Sequence, residues 1–238
     1  MTTQNGSELV RFPDPHPDNV AAALARISES DRVLDVGGWW KPLNRADCVV
    51  DLLPYETRGG GGRIGPGPER YSSETWMQFD ICETPWPIAD DSFDFVYCGQ
   101  TLEDIRDPIA VCAELSRVAK RGYVEVPSAW IECTFDIDVG PLTPRYPGYE
   151  KHRWLVLEQE DGLLFVPKQV WLALVEFLPR EETNRWREDQ RIWTTAVHWN
   201  DSISARELAF SGQADIIPLL RDYFDNFDYT PYQPGWTT

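Results

Sequence analysis

The feature that most constrains this chain is a series of short apolar runs, each stopped by an acid, a glycine or a proline. Arg32-Val33-Leu34-Asp35-Val36 ends at Gly37-Gly38, and Cys48-Val49-Val50-Asp51-Leu52 ends before Pro54. Trp76 to Ile81, Phe93 to Cys98 and Tyr123 to Val126 continue the series. Runs of this length between glycine and proline signals read as buried strands. Between the fourth and fifth, Asp107 offers an N-cap and Pro108 a first-turn proline to the helical stretch IAVCAELSRVAK, with Arg117, Lys120 and Arg121 near its end and Gly122 beyond. Strand and connection repeated in this way predict an α/β fold, Rossmann-like and doubly wound, with a mainly parallel sheet. A C-terminal hairpin and helical elaboration are expected to complete it.

The remaining segments are placed around that core. Residues 1–17 are polar and proline-rich and read as a flexible tail, and Asp18 to Ile27 has helical spacing. Residues 18–130 are expected to form the ligand-binding core and 131–238 the part that completes the sheet on the acceptor side, within a single structural domain. Tyr55 to Ser73 carries four consecutive glycines at 59–62 and must be a loop, either a lid or an insertion. HRWLVLEQ and LLFVPK, separated by Asp161-Gly162, predict a hairpin. Beyond it the pattern predicts a helix over 170–178, a strand over 191–199 and helical structure over 204–224, interrupted around Gly212 and Pro218.

Charge and cysteine content exclude several functions. Thirty-nine acidic against 22 basic residues give a net charge of −17, which repels phosphate backbones and anionic membranes. Five scattered cysteines without a CxxC pair argue against a zinc knuckle or a disulfide framework. No apolar run reaches membrane-spanning length, so a cytoplasmic protein is expected. The expected partners are a small-molecule acceptor and, at most, a second copy of the chain in a homodimer, with no nucleic acid and no membrane.

In an open parallel sheet the ligand sits outside the carboxyl ends of the strands. Those ends carry Asp35 with Gly37-Gly38, then Asp51, then Asp80, then Cys98-Gly99-Gln100. Glycines there let a ligand approach the backbone, and a carboxylate ending the second strand can accept from both ribose hydroxyls. The dinucleotide pattern GxGxxG is not met, since Trp39 and Pro42 hold the later glycine positions, and no GK[ST] ending accompanies the glycine run.

RVLDVGG (32–38), the Asp51 strand end, FDI (79–81), PWPIADDSFDFVYCGQTLEDIRDP (85–108) and ELSRVAKRGYVEVPS (114–128) together resemble the class I S-adenosylmethionine (SAM)-dependent methyltransferases. The likeness is to bacterial methyltransferase type 11-like domain proteins. The resemblance implies SAM as cofactor, its methionine part held by Asp35, Gly37 and Gly38, its ribose by Asp51 and its adenine by Asp80 with Ile81. It also implies that Gln100 and Thr101 line the methyl-transfer mouth. Trp39, Leu52 and Cys98, flanking these positions, are counted with the cofactor-binding set. Two departures stand out: Trp39 replaces the family's third glycine, and the connection before the second strand is so short that its crossover helix must be a turn or lost.

Methyl transfer needs a base only where the nucleophile must lose a proton. His152, at the start of the hairpin, is the first choice, with Asp104 standing where the family commonly has histidine. Glu103, Asp104 and Asp107 offer oxygen ligands to a divalent cation, but Asp107 already serves as an N-cap and no metal is expected. Trp130, Trp154, Trp171, Trp186, Trp193 and Trp199 offer flat faces to an acceptor or, more simply, core packing. The expected reaction is methyl transfer to a small polar acceptor, such as a hydroxyl of a sugar or specialised metabolite. The alternatives are a SAM-fold binding protein without transfer, or a SAM-fold enzyme performing cyclisation or aminopropyl transfer.

Overall fold

The computed structural model describes residues 15–135, 137, 146–160, 162–174, 177–178, 192–210 and 212–226. Helix α1 (Pro17–Leu24) precedes strands β1 (Val33–Val36), β2 (Cys48–Asp51), β3 (Trp76–Gln78) and β4 (Phe95–Gly99). Helix α2 (Pro108–Val118), strand β5 (Arg121–Pro127) and the short helix α3 (Ala129–Glu132) follow. Strands β6 (Trp154–Gln159), β7 (Gly162–Pro167), β8 (Thr194–Asn200) and β9 (Ala205–Glu207) lead to helix α4 (Gln213–Asn226). The large sheet has the order β3-β2-β1-β4-β5-β8, parallel throughout except for β8, which runs antiparallel to β5. This is the Rossmann-like, mainly parallel arrangement expected, and the strand predicted over 191–199 is its edge.

Alternation along the strands sends successive side chains to opposite faces, and the two faces are covered differently. Leu34, Val36, Val50, Val96, Cys98, Val124 and Val126 pack against Val111, Cys112, Leu115 and Val118 of α2. Val33, Val49, Phe95, Tyr97 and Tyr123 face the other way, against Ala23 of α1 and against Leu43, Ile64 and Tyr71 from loops. No crossover helix stands between β1 and β2, in keeping with the short connection.

The glycine run fills that gap. The Gly59 amide donates to the Trp39 carbonyl (2.7 Å) and the Gly61 amide to the Trp40 carbonyl (3.0 Å). The Trp40 indole lies so close over Gly60 and Gly61 that a Cβ at either would clash with it. Asn44 Nδ2 donates to the Gly65 and Gly67 carbonyls at 3.0 and 2.7 Å, and Ile64 bridges to Leu43. The loop is therefore docked over the sheet where a helix would otherwise lie.

The chain after α3 differs from the pattern-based expectation in several places. β6, β7 and β9 form a second, three-stranded sheet. Leu163 and Phe165 face the α2 core, while Leu155, Leu157, Leu164 and Val166 face Ile216, Leu220 and Phe224 of α4. The hairpin forms, but Gly162 is already paired with Gln159, so the turn comes one residue earlier than Asp161-Gly162; Asp161 lies outside the described residues. Residues 205–207, expected to be helical, pair with β7 instead, because tertiary pairing with a sheet edge overrides the good helix propensity of Ala, Arg and Glu. Helix α4 continues through Pro218 rather than breaking there. Of the helix expected over 170–178, Val170–Leu174 is a 3-10 turn, and residues 175–176 lie outside the described residues. Gly122 lies inside β5, and α2 is capped at Ala119. Of the tail expected over 1–17, residues 1–14 lie outside the described part, while His16 caps α1 and Pro17 opens it. Among the described residues, no helix is long and apolar enough to cross a membrane.

Candidate functional site

The carboxyl ends of β1, β2 and β4 meet at one edge of the large sheet. After β1, Gly37 adopts φ +79°, a conformation costly for any other residue, and its amide donates to the Val50 carbonyl at 2.9 Å. Asp35 is buried, and its Oδ2 accepts from the Leu43 amide at 2.8 Å. Burial raises its carboxyl to about 7, against the opposing Leu43 hydrogen bond and with some help from the Asp51 charge. Gly38 runs so close to this carboxylate that a Cβ there would clash with Asp35. Asp35 therefore pins the whole turn from Gly37 to Leu43.

Asp51 ends β2 half-buried, with Oδ2 accepting from the Trp39 amide (3.0 Å) and Oδ1 from the Leu53 amide (2.9 Å). Burial raises its pKa, and those backbone donors oppose the rise. Each oxygen keeps a lone pair for a further donor. Leu52, next to it in sequence, is apolar and 61% exposed. An acceptor pair beside an exposed apolar side chain suits a ribose and its base. Trp39 anchors its own indole to Thr57 Oγ1 at 2.9 Å.

After β3, Asp80 is occupied. Its Oδ2 pairs with Arg106 (2.5 Å) and its Oδ1 accepts from the Cys82 amide (2.9 Å), and the Arg106 hydrogen bond, with the Cys82 amide, holds the carboxyl below its ordinary range. Ile81 is buried in the core and its carbonyl accepts from Trp86 Nε1. Cys98 likewise points into the α2 core, so it offers a ligand only its backbone.

The end of β4 is strained and polar. Gln100 has φ +55° and donates Nε2 to Glu125 Oε1 at 3.1 Å, leaving its buried Oε1 without a partner. Tyr97 Oη, on the same face as Asp35, is also buried and unpartnered. Thr101 Oγ1 sits against Gly37, where a Cβ would clash with it, and donates to the Gly99 carbonyl at 3.1 Å. Two orphaned acceptors beside the Asp35 turn suit the ammonium and backbone-like polar end of an amino-acid moiety. Tyr97 and Glu125 were not singled out from sequence; their inward direction in the strand alternation was the available signal.

Two residues further on, a second polar group assembles. Asp104 Oδ1 lies 3.7 Å from His152 Nε2, bringing together the two residues singled out for acceptor chemistry. His152 Nδ1 contacts Glu132 Oε1 at 2.6 Å, and Glu132 Oε2 accepts from Lys168 Nζ at 2.5 Å. Burial alone would raise the Glu132 carboxyl, but the hydrogen bond to His152 and the charge of Lys168 hold it low. Glu103, 1% exposed, has both carboxylate oxygens unpartnered, and burial together with the Asp104 charge pushes its pKa well up. Asp107 stands apart as the α2 N-cap, accepting from the Ala110 amide at 3.0 Å. Sequence reasoning passed over Glu132 and Lys168 because they come from distant segments.

The candidate aromatic platforms are largely enclosed. Trp130, Trp193 and Trp199 are buried, and Trp154 packs edge-on against Phe165 with Nε1 donating to the Ile105 carbonyl at 2.9 Å. Trp171 is partly buried against the α4 cluster, and Trp186 lies outside the described residues.

The family model described as a methyltransferase domain matches residues 66–124, from the end of the glycine loop to the start of β5. That stretch is similar to a methyltransferase domain, and it falls on the Rossmann-like, mainly parallel sheet. Asp35, Gly37, Gly38, Trp39, Asp51 and Leu52 lie before the matched stretch. Among solved structures the chain is similar to the YcgJ protein of Bacillus subtilis (19% identity, TM-score 0.35, 48% of this chain and 52% of that one). It is also similar to the Haloferax volcanii complex of a methyltransferase with the Trm112 activator (16%, TM-score 0.41, 79% and 90%). A third likeness is to an S-adenosylmethionine-dependent methyltransferase of Mesorhizobium loti (16%, TM-score 0.34, 75% and 72%). The chain spans about half the length of the first solved structures it matches. No curated protein matches it.

Proposed function

We propose that this protein is a SAM-dependent methyltransferase acting on a small polar acceptor, with a hydroxyl of a sugar or specialised metabolite as the acceptor group. The observation that carries the reading is that two unlike polar sites stand past the carboxyl ends of the parallel strands. One is the Asp51 carboxylate, with the exposed Leu52 next to it in sequence. The other is the Glu103, Asp104 and His152 group just past Thr101.

SAM, when bound, supplies a methyl group on a sulfonium that is open to displacement. Asp51 would accept from the ribose hydroxyls, and the turn pinned by Asp35, with Tyr97 Oη and Gln100 Oε1, would receive the methionine end. Asp80 is committed to Arg106 and Cys82, so support for an adenine contact rests on the backbone near Ile81 and on Leu52. His152, fixed by Glu132, keeps its Nε2 directed at Asp104, and these two are the acceptor-activating groups. Most of the acceleration would come from holding donor and acceptor in line.

Calorimetry with SAM and with its demethylated product tests the reading. Saturable binding of both, followed by formation of S-adenosylhomocysteine when small hydroxylated acceptors are supplied, is the expected result. Binding of neither compound would overturn it. Binding and turnover without S-adenosylhomocysteine would point to another reaction on the same fold.

A further inference from the structure

We propose that Glu103, Asp104 and His152 hold a divalent cation of the zinc or manganese type, through which the acceptor side of the site works. One ligand atom from each of the three lies within 4.8 Å of the others. Four buried acceptor atoms, Glu103 Oε1 and Oε2, Asp104 Oδ1 and His152 Nε2, are without a hydrogen-bond partner at this one place. Buried polar atoms are seldom left so, and a concentration of acceptors with no donor among them calls for a cation or for protons.

The surroundings favour the cation. His152 is 3% exposed, and its Nδ1 is engaged by Glu132, which leaves the Nε2 lone pair facing the carboxylates. A carboxylate behind a metal-binding histidine orients the ring and strengthens it as a ligand. Glu132 is steadied in turn by Lys168, and Lys168 by the Tyr149 carbonyl at 2.7 Å. Lys151 takes the outer oxygen of Asp104 at 2.8 Å, so the inner one remains available. The Arg153 amide donates to the Glu103 carbonyl at 2.7 Å, tying the two ligand-bearing segments together.

Geometry and chemistry select the ion. Ligands about 2.1 Å from a tetrahedral ion stand roughly 3.4 Å from one another, so the 3.7 Å between His152 and Asp104 needs little closing. One imidazole nitrogen with two carboxylates suits Zn²⁺ or Mn²⁺ better than Ca²⁺ or Mg²⁺, which prefer oxygen alone. Two carboxylates also balance a double positive charge. An open coordination position would bind and orient an acceptor oxygen. That last role rests on the methyltransferase reading; the cation site does not.

The test is calorimetric titration of chelator-stripped full-length protein with Zn²⁺ and Mn²⁺, with Co²⁺ absorption as a report on ligand geometry. One ion per chain and a raised melting temperature are expected. Glu103→Gln and Asp104→Asn should each weaken affinity roughly tenfold or more, and Glu132→Gln about 10–100-fold, while Asp107→Asn leaves it unchanged. If Glu103→Gln fails to fold, Asp104→Asn at its half-exposed position decides the matter. Absence of saturable binding, or equal affinity in wild type and Asp104→Asn, would overturn the proposal. SAM titrations on the same samples keep its failure separate from failure of the methyltransferase reading.

Discussion

The acids at the ends of β1 and β2 and those past the end of β4 are handled in opposite ways. Asp35 and Asp51 accept from the amides of Leu43, Trp39 and Leu53, all within a dozen residues of them. The Glu103 carboxylate has no hydrogen-bond partner among the described residues, and its neighbours Asp104 and His152 are backed by Lys151, Glu132 and Lys168. The first region is a self-completed turn that a ligand can supplement. The second is incomplete until something is added. Thr101, seated on Gly37 and two residues before Glu103, stands between the two.

The largest effect that would sharpen this contrast is a pH effect at Asp35. With a folded pKa of about 7 against its ordinary 3.8, Asp35 supports folding fully only below about pH 4, and that contribution is lost as pH rises through 7. Asp35→Asn keeps an oxygen for the Leu43 amide but cannot ionise. Denaturant unfolding from pH 4 to 8 should therefore show wild type losing roughly 2–4 kcal/mol relative to the variant. Parallel curves would place the Asp35 charge in a better-solvated setting than its burial implies.

Gly37→Ala comes next. It forces φ +79° on alanine and drives a methyl into Thr101, which should cost about 2–3 kcal/mol, read as a lower denaturation midpoint. Because Thr101 leads directly to Glu103, cation affinity should fall in the same variant. Unchanged affinity would break the link between the regions.

Asp51→Ala should cost about 1–3 kcal/mol in SAM binding, measured by calorimetry, with cation binding untouched. Wild-type SAM affinity would refute the ribose assignment. The smallest effect is expected from Asp107→Ala, where loss of the α2 N-cap should lower stability by about 1 kcal/mol and leave both ligands' affinities alone. Loss of cation binding there would return Asp107 to the second site.

What could be read from sequence follows the same division. The turn after β1, the Asp51 strand end and the Asp107-Pro108 helix start are each made by residues close in the chain, and their patterns were legible. His152 and Asp104 were legible as separate candidates but their pairing was not; Glu132 and Lys168 carried no local signal, since their role exists only once α3, β6 and β7 come together. The strand at Ala205–Glu207 was misread for the same reason: its partner, β7, lies elsewhere in sequence.

By itself the sequence determined the strand series, its mainly parallel sense, the acidic strand ends and a first crossover cut to a turn or lost, because apolar period, glycine and proline act over a few residues. The tertiary structure alone decided that the glycine run docks under Trp40, that a second sheet closes over α2, and that Glu103, Asp104 and His152 converge without a donor among them. Those outcomes depend on which surfaces meet when the chain closes, and burial and partner supply at long range have no local signature.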